Sequence, residues 1–287
     1  MREPISFNQV RDFGGLFNAT FEFLRQEFKP FGKMLLIYAL PVAFVATIIV
    51  SYATYMQFDV MIGEPQSTLG TNYILSTMLS AFTSLLIYFI FSLISYSYLA
   101  AYIKMGANNF TTSDVLNIAK SKWLLLLAIN IVYVIATFIG LIILVIPGIY
   151  LSILLYFAAY AYFTEDTTFG GSFKRSVDVV TDNWWFSFGF ILVFYIMISI
   201  ASSIFYVPFM IVGIIKAATA YQNGGDLGGL RMVMVVATGL LTVVKGAMMM
   251  VVVIASQFLF CSLVKKKYDP ELEQLINKVT SSQNESI

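Results

Sequence analysis

The chain has 287 residues, of which 59% are hydrophobic and 11% charged, and its formal net charge is +1. This composition indicates a polytopic membrane protein, and the small net charge provides no field to recruit nucleic acid. The chain has no His, the commonest general base and metal ligand, and its single cysteine, Cys261, excludes an internal disulfide and a CxxC motif. We therefore expect no enzyme activity, no cofactor and no metal site.

The sequence predicts an amphipathic helix before the first long apolar stretch. Its apolar side chains recur at helical spacing, while Arg25 and Lys29 lie on other faces. The predicted apolar face comprises Val10, Phe13, Phe17, Phe21, Leu24 and Phe28. Such a cytoplasmic amphipathic helix is expected to lie in the membrane interface or to pack against the ends of the membrane helices.

Six apolar stretches are predicted to cross the membrane, because a crossing helix needs about 20 apolar residues. They are residues 34–56, 72–103, 123–146, 149–164, 185–215 and 231–264. The apolar run from Trp123 to Phe163 is too long for one crossing, since a single helix would measure about 60 Å. Pro147 and Gly148 lie in its middle and predict a tight external turn. The sequence thus predicts an all-α bundle of six transmembrane helices in three hairpins.

The same amphipathic pattern precedes the second and third hairpins. Asp114 is the predicted N-cap of a short helix that leads to Trp123. Before the fifth span, apolar side chains again recur at helical spacing, at Phe173, Val177, Val180 and Trp184. Each hairpin is therefore expected to follow a cytoplasmic amphipathic helix.

The chain divides by prediction into an N-terminal cytoplasmic segment, residues 1–33, a six-helix domain, residues 34–264, and a cytoplasmic tail, residues 265–287. In the tail, Asp269 and Pro270 are expected to begin a short amphipathic helix. Only three of the 17 Lys and Arg residues lie outside when both termini are inside. Because cytoplasmic loops carry the excess of Lys and Arg, both termini are predicted to be cytoplasmic.

The three outside cations, Lys216, Arg231 and Lys245, are the candidate ligand-binding site. They border an apolar segment, residues 208–244, which can form an external cap, a re-entrant hairpin or long helix extensions. We favour the cap, because Lys245 lies about 30 Å before Lys265 along a helix and thus at the outer membrane boundary, which leaves residues 231–244 beyond the bilayer. In the cap, the three side chains would converge on an anionic head group or solute. The alternative is that each cation independently extends to the membrane surface.

Residues 146–188 carry a further pattern: a Pro-Gly turn, an acidic residue at the end of a span, a basic pair and an aromatic entry to the next span. The residues are Pro147, Gly148, Glu165, Lys174, Arg175, Trp184 and Trp185, with Ile146, Ile149, Tyr150 and Ser176 beside them. This segment resembles the membrane domain attached to some bacterial glycerophosphoryl diester phosphodiesterases and its stand-alone uncharacterised six-span relatives. The resemblance implies a bacterial cytoplasmic-membrane protein of a group without an established activity.

Two functions are open at this point. The first is a non-enzymatic module that interacts with membrane lipids, or organises protein partners through the amphipathic helices, without nucleic acid. The alternative is a carrier or channel for a lipid or small solute, with a cavity lined by Asn130 and by hydroxyl side chains of the second and fifth spans. A continuous polar cavity would favour transport, whereas closely packed small residues would favour a scaffold.

Overall fold

The computed structural model describes residues 4–61, 69–107, 109–222 and 227–284. Within these ranges every regular element is helical. The helices are α1 (Phe13–Met34), a short π-helix (Leu35–Ala39), α2 (Leu40–Met61), α3 (Leu69–Met105), α4 (Thr112–Ile143), α5 (Val145–Tyr156), α6 (Ala158–Glu165), α7 (Phe169–Thr181), α8 (Trp184–Gln222) and α9 (Gly228–Asn284).

Six helical stretches among the described residues are long and apolar enough to cross a membrane. They are Phe13–Phe58, Gly70–Met105, Thr112–Ile143, Val145–Glu165, Trp184–Ala220 and Gly228–Asp269. The predicted all-α class with six apolar helices is confirmed, and the chain is a multi-pass membrane protein.

Two of the predicted amphipathic segments are not separate helices. The first continues through the π-helix into α2. The predicted boundary between residues 33 and 34 therefore lies within a continuous helical stretch. The second is the first part of α4, where Thr111 is the N-cap and Asp114 is its capping-box partner rather than the cap itself. Only the third, α7, stands alone. The first helix continues through Pro30 and Gly32, and in the second Trp123 and four leucines follow Lys122 without Pro or Gly to end the helix.

The turn between α4 and α5 lies at Leu144, which is extended (φ −157°, ψ 132°), and not at Pro147 and Gly148 as predicted. Pro147 is the third residue of α5, where its missing N–H has no helical acceptor to lose. Gly148 serves a different purpose, because a Cβ atom there would lie 2.5 Å from the backbone nitrogen of Leu141. The Pro-Gly pair therefore permits close packing of the two helices beside the turn.

The fourth predicted span, residues 149–164, is broken in its middle. α5 ends at Tyr156, Phe157 leaves the helical conformation (φ −88°, ψ 5°), and α6 continues the crossing. α6 then ends at Asp166, which adopts a left-handed conformation (φ 51°). Asp is one of the few side chains that accept this conformation.

The predicted external cap is wrong. α8 and α9 are unbroken helices of 39 and 57 residues, so the described part of residues 208–244 forms long helix extensions. α9 also continues through residues 265–284, where a separate short helix was expected. Asp269 does not begin a new helix but forms an ion pair with Lys265, one turn earlier in α9 (2.9 Å).

Contacts divide the chain into two compact units. The first contains the described residues of 1–28, 95–193 and 253–287. Its core is aromatic, and each of the following side chains is less than 2% exposed: Phe23, Tyr98, Phe157, Tyr160, Phe163, Phe258 and Phe260. Ring area of this kind supplies much of the packing contact in a membrane protein, where the core and the surrounding lipid are equally apolar.

The second unit, residues 29–94 and 194–252, is packed through small residues. The π-helix buries Ala39, and α2 buries Ala43, Ala46 and Ala53. On α9, a Cβ atom at Gly239 would lie 2.4 Å from Ser51 Oγ, and one at Gly246 would lie 2.9 Å from Ile87 Cγ2. Small residues let helix backbones approach closely in a membrane, where dispersion contacts replace the hydrophobic effect.

Candidate functional site

An ion pair closes the turn between α6 and α7. Arg175 Nε and Nη2 donate to Glu165 Oε2 and Oε1 at 2.7 and 2.9 Å, a bidentate arrangement. Such a pair fixes geometry as well as adding energy. Although burial opposes its charge, the bonds to Glu165 raise the pKa of Arg175 above its usual value. The two matched charges of the resemblance motif therefore serve one contact.

The end of α9 binds α7 through Asp178. Tyr268 Oη donates to Asp178 Oδ2, and Lys267 Nζ donates to Asp178 Oδ1 at 2.9 Å. These two hydrogen bonds lower the pKa of Asp178. The Arg175 guanidinium lies 4.1 Å from the centre of the Tyr268 ring, within cation–π range. The basic cluster at the end of the last span thus binds a carboxylate of the protein itself, which limits its capacity to hold an anionic head group.

Asp166 joins three helices at the end of α6. It accepts from Lys104 Nζ of α3 at 2.6 Å and from Lys122 Nζ of α4. Lys122 also donates to the backbone oxygen of Tyr162 at 2.9 Å, so it caps the last turn of α6. Burial raises the pKa of Asp166, but the hydrogen bonds from Lys104 and Lys122 outweigh it and leave the pKa below its usual value.

A buried serine repairs the helix break at Phe157. Ser176 Oγ, on α7, accepts from the Phe157 backbone N–H at 3.0 Å and donates to the Leu154 backbone oxygen at 2.6 Å. At the break the Phe157 N–H is also directed at the carbonyl of Leu155, only two residues earlier, in place of a helical acceptor, and Ser176 is fully buried. One hydroxyl thus satisfies both groups and fixes α7 against the broken span.

The aromatic entry to α8 also packs on α5. Trp184 Nε1 donates to the backbone oxygen of Tyr150 at 3.1 Å, and the two rings stack with centroids 5.3 Å apart. Trp185 instead projects outward and is 78% exposed. Of the other motif residues, Lys174 lines a shallow cavity of about 490 Å³ beside Asp178 and Lys267. Of the motif residues, Glu165 and Arg175 pair with each other and Trp184 packs on α5, whereas Trp185 and Lys174 lie outside these contacts.

Helix α1 is apolar on two faces. The predicted face is exposed, with Phe13, Phe21 and Phe28 exposed by 38%, 39% and 73%. The packed face is the one that carries Leu16, Thr20, Phe23 and Glu27, all buried. The phenylalanine face is therefore mainly at the surface of the protein, which is compatible with the expected placement in the membrane interface.

Glu27 is the residue that the sequence interpretation missed. It accepts a hydrogen bond from Tyr98 Oη of α3 inside the first unit. Buried carboxyl groups need such a partner, because an isolated one is costly to desolvate. The signal was present, since Leu16, Thr20, Phe23 and Glu27 also recur at helical spacing.

The predicted external basic site does not form. The Arg231 guanidinium lies 4.7 Å from the centre of the Tyr55 ring, and Lys245 Nζ lies 5.0 Å from the centre of the Tyr206 ring. Arg231 and Lys245 are fourteen residues apart on the unbroken α9, about 21 Å along its axis at 1.5 Å per residue. Lys216 packs its side chain near Gly229, at the Arg231 end. The three cations therefore cannot converge on one ligand.

Among the described residues, no group of three or more His, Cys, Asp or Glu side chains is arranged to hold a metal ion. Comparisons with protein-family models, with curated proteins and with solved structures found no match to this chain. Functional inference therefore depends on the chain's own contacts.

Proposed function

We propose that the protein is a non-enzymatic, lipid-interacting membrane protein whose α1 helix places one face in the bilayer interface. The exposed phenylalanine face of α1 carries this proposal. Its other face is packed against the protein, while Phe28 on this face is 73% exposed. Arg25, Lys29 and Lys33 follow along the same helix, as is typical of helices that bind lipid surfaces.

The depth of α1 supports this proposal. Phe13 packs edge to face against Phe190 of α8, with ring centroids 5.4 Å apart. Phe190 follows the exposed Trp185 by five residues, about 7.5 Å along the helix. Because Trp side chains concentrate at the membrane–water interface, the start of α1 is expected at the acyl boundary.

A fluorescent probe on α1 tests the proposal. Phe28→Cys and Glu22→Cys, each combined with Cys261→Ala, place an environment-sensitive label on the phenylalanine face and on an exposed polar position of the same helix. In nanodiscs containing lipids with brominated acyl chains, the label at position 28 should be quenched more strongly and should emit at shorter wavelength, because bromine reaches only groups at the acyl boundary. Equal, water-like emission at both positions would contradict the proposal.

The orientation is proposed with both termini in the cytoplasm of a bacterial cell, with the protein in the inner membrane. The Lys and Arg asymmetry supports the orientation, and the resemblance of residues 146–188 supports the bacterial membrane. A periplasmic phosphatase fused after Lys278 of the full chain should be inactive. An active fusion would reverse the orientation.

The carrier or channel alternative has less support. Hydroxyl side chains within the spans donate to carbonyl oxygens three or four residues earlier in their own helices, as at Thr47, Ser84, Ser92 and Thr238. Neither of the two cavities described for the protein is lined by Asn130. Together with the small-residue packing of the second unit, these contacts favour a packed scaffold over a polar path. Organisation of protein partners by the exposed helix faces is compatible with the same proposal.

A further inference from the structure

The first unit contains a second cavity, of about 630 Å³. Sites for small molecules typically measure roughly 300–1,000 Å³. Residues 4–8 form one wall, and the C-terminal ends of α3 and α6 together with residues 260–264 of α9 form the others. Phe7 holds the N-terminal wall in place, because its ring stacks on Phe258 with centroids 4.0 Å apart.

The lining has an apolar side and a polar side. Ile103, Phe260 and Val264 provide apolar surface, while Ser6, Asn8 and Thr164 provide polar groups. Such a division suits an amphiphile, with the chain against the first group and the polar end against the second.

Tyr102 marks where a polar ligand atom would bind. Its side chain lines the cavity and is only 4% exposed. Its hydroxyl is buried, and among the described residues only the backbone N–H of Ile5 approaches its oxygen, so the hydroxyl proton has no acceptor there. A buried O–H without an acceptor is costly, so an acceptor supplied by a ligand would relieve that cost.

The charges of the described lining disfavour an anionic head group. Glu165 is the charged residue in the described lining, and no Lys or Arg accompanies it there. Both Glu165 carboxylate oxygens already accept from Arg175, which does not line the cavity. A phosphate group in this cavity would lose its hydration beside a carboxylate, and no cation of the described lining would compensate its charge.

We propose that this cavity binds a neutral glycerolipid of the monoacylglycerol type, with an ester or hydroxyl oxygen accepting from Tyr102 and the acyl chain along Ile103, Phe260 and Val264. The proposal rests on the proposed lipid interaction and names a ligand class for it. The exposed face of α1 contacts the bilayer lipids in general, whereas this cavity would bind one lipid molecule at a defined site.

Photocrosslinking in nanodiscs tests the site. A monoacylglycerol with a diazirine in its acyl chain should label peptides that contain residues 4–8, 102–107 and 260–264, and unlabelled monoacylglycerol should compete. Val264→Trp fills the cavity and should abolish this labelling. Val236→Trp, at an exposed position of the same helix, should preserve it. Equal labelling in Val264→Trp and the unmodified protein would overturn the proposal.

A smaller change separates loss of binding from misfolding of the Val264→Trp variant. Tyr102→Phe keeps the ring but removes the hydroxyl, and it should weaken competition about three- to tenfold, the effect of losing one neutral hydrogen bond. Tyr150→Phe, outside the cavity, should leave competition unchanged. Unchanged competition in Tyr102→Phe, or stronger competition by phosphatidic acid or a fatty acid, would overturn the assignment. If the cavity is not labelled while position 28 is still quenched by brominated lipid, this inference fails and the proposed function stands.

Discussion

Replacing Ser176 by Ala should lower the free energy of unfolding by about 2–4 kcal/mol, because two buried backbone groups would each lose a hydrogen bond. The Phe157 N–H and the Leu154 carbonyl have no helical partners across the break, and Ser176 Oγ is within 3.0 Å and 2.6 Å of them. Thermal unfolding in detergent, followed by the loss of near-ultraviolet ellipticity, measures the change. Amide hydrogen exchange at Phe157 should accelerate in the same variant.

Ser172→Ala is the matched control. Ser172 is also fully buried on α7, but its hydroxyl donates only to the Phe169 carbonyl of its own helix (2.7 Å). Its loss should cost less, since such a bond within one helix leaves the backbone ladder intact. If the two alanine variants melt at the same temperature, Ser176 does not stabilise the break, and α5 and α6 are held by packing alone.

The helix content was predictable because it depends on the length and apolar character of each stretch. The break at Phe157 was not, since Tyr, Phe and Ala surround it without Gly or Pro. It is stabilised by Ser176, which lies 19 residues later in the sequence. A contact at that distance leaves no local pattern, although the resemblance of residues 146–188 included this serine.

The sequence left open whether the phenylalanine face of α1 meets lipid or the protein, for a reason specific to membranes. In water, an apolar helix face predicts contact with the protein core. Beside lipid the same face can be exposed at no cost, because acyl chains are as apolar as a core. Phe28 and Phe23 thus look alike in the sequence, yet one is exposed and the other is fully buried. Glu27 and Thr20, the polar residues of the buried row, distinguish the two faces chemically.

The predicted external basic site does not form because α9 is continuous between Arg231 and Lys245. Lys216, Arg231 and Lys245 are grouped in sequence, and their convergence required the chain to fold back between them. α9 contains Gly239 in that interval, which in sequence permits a turn. In the structure this glycine allows close contact with Ser51 of α2, and the helix continues.

Gly148→Ala should destabilise the protein by about 1–3 kcal/mol, the typical cost of overpacking a close contact. The new Cβ atom would meet the backbone nitrogen of Leu141 at 2.5 Å and the carbonyl carbon of Gly140 at 2.7 Å. Because both are backbone atoms, relief requires α4 and α5 to separate. The gain in helix propensity from Gly to Ala is about 1 kcal/mol and opposes only part of this cost. The melting temperature in detergent should therefore fall.

Gly189→Ala on α8 is the control, because its expected change in stability has the opposite sign. A Cβ atom at Gly189 has no neighbouring atom within 4 Å, so only the propensity gain remains and the melting temperature should stay constant or rise. Pro147→Ala should change little, since Pro147 occupies the first turn of α5 and withholds no needed donor. If Pro147→Ala destabilises more than Gly148→Ala, the pair acts as a turn after all, and close packing of α4 against α5 is not what requires the glycine.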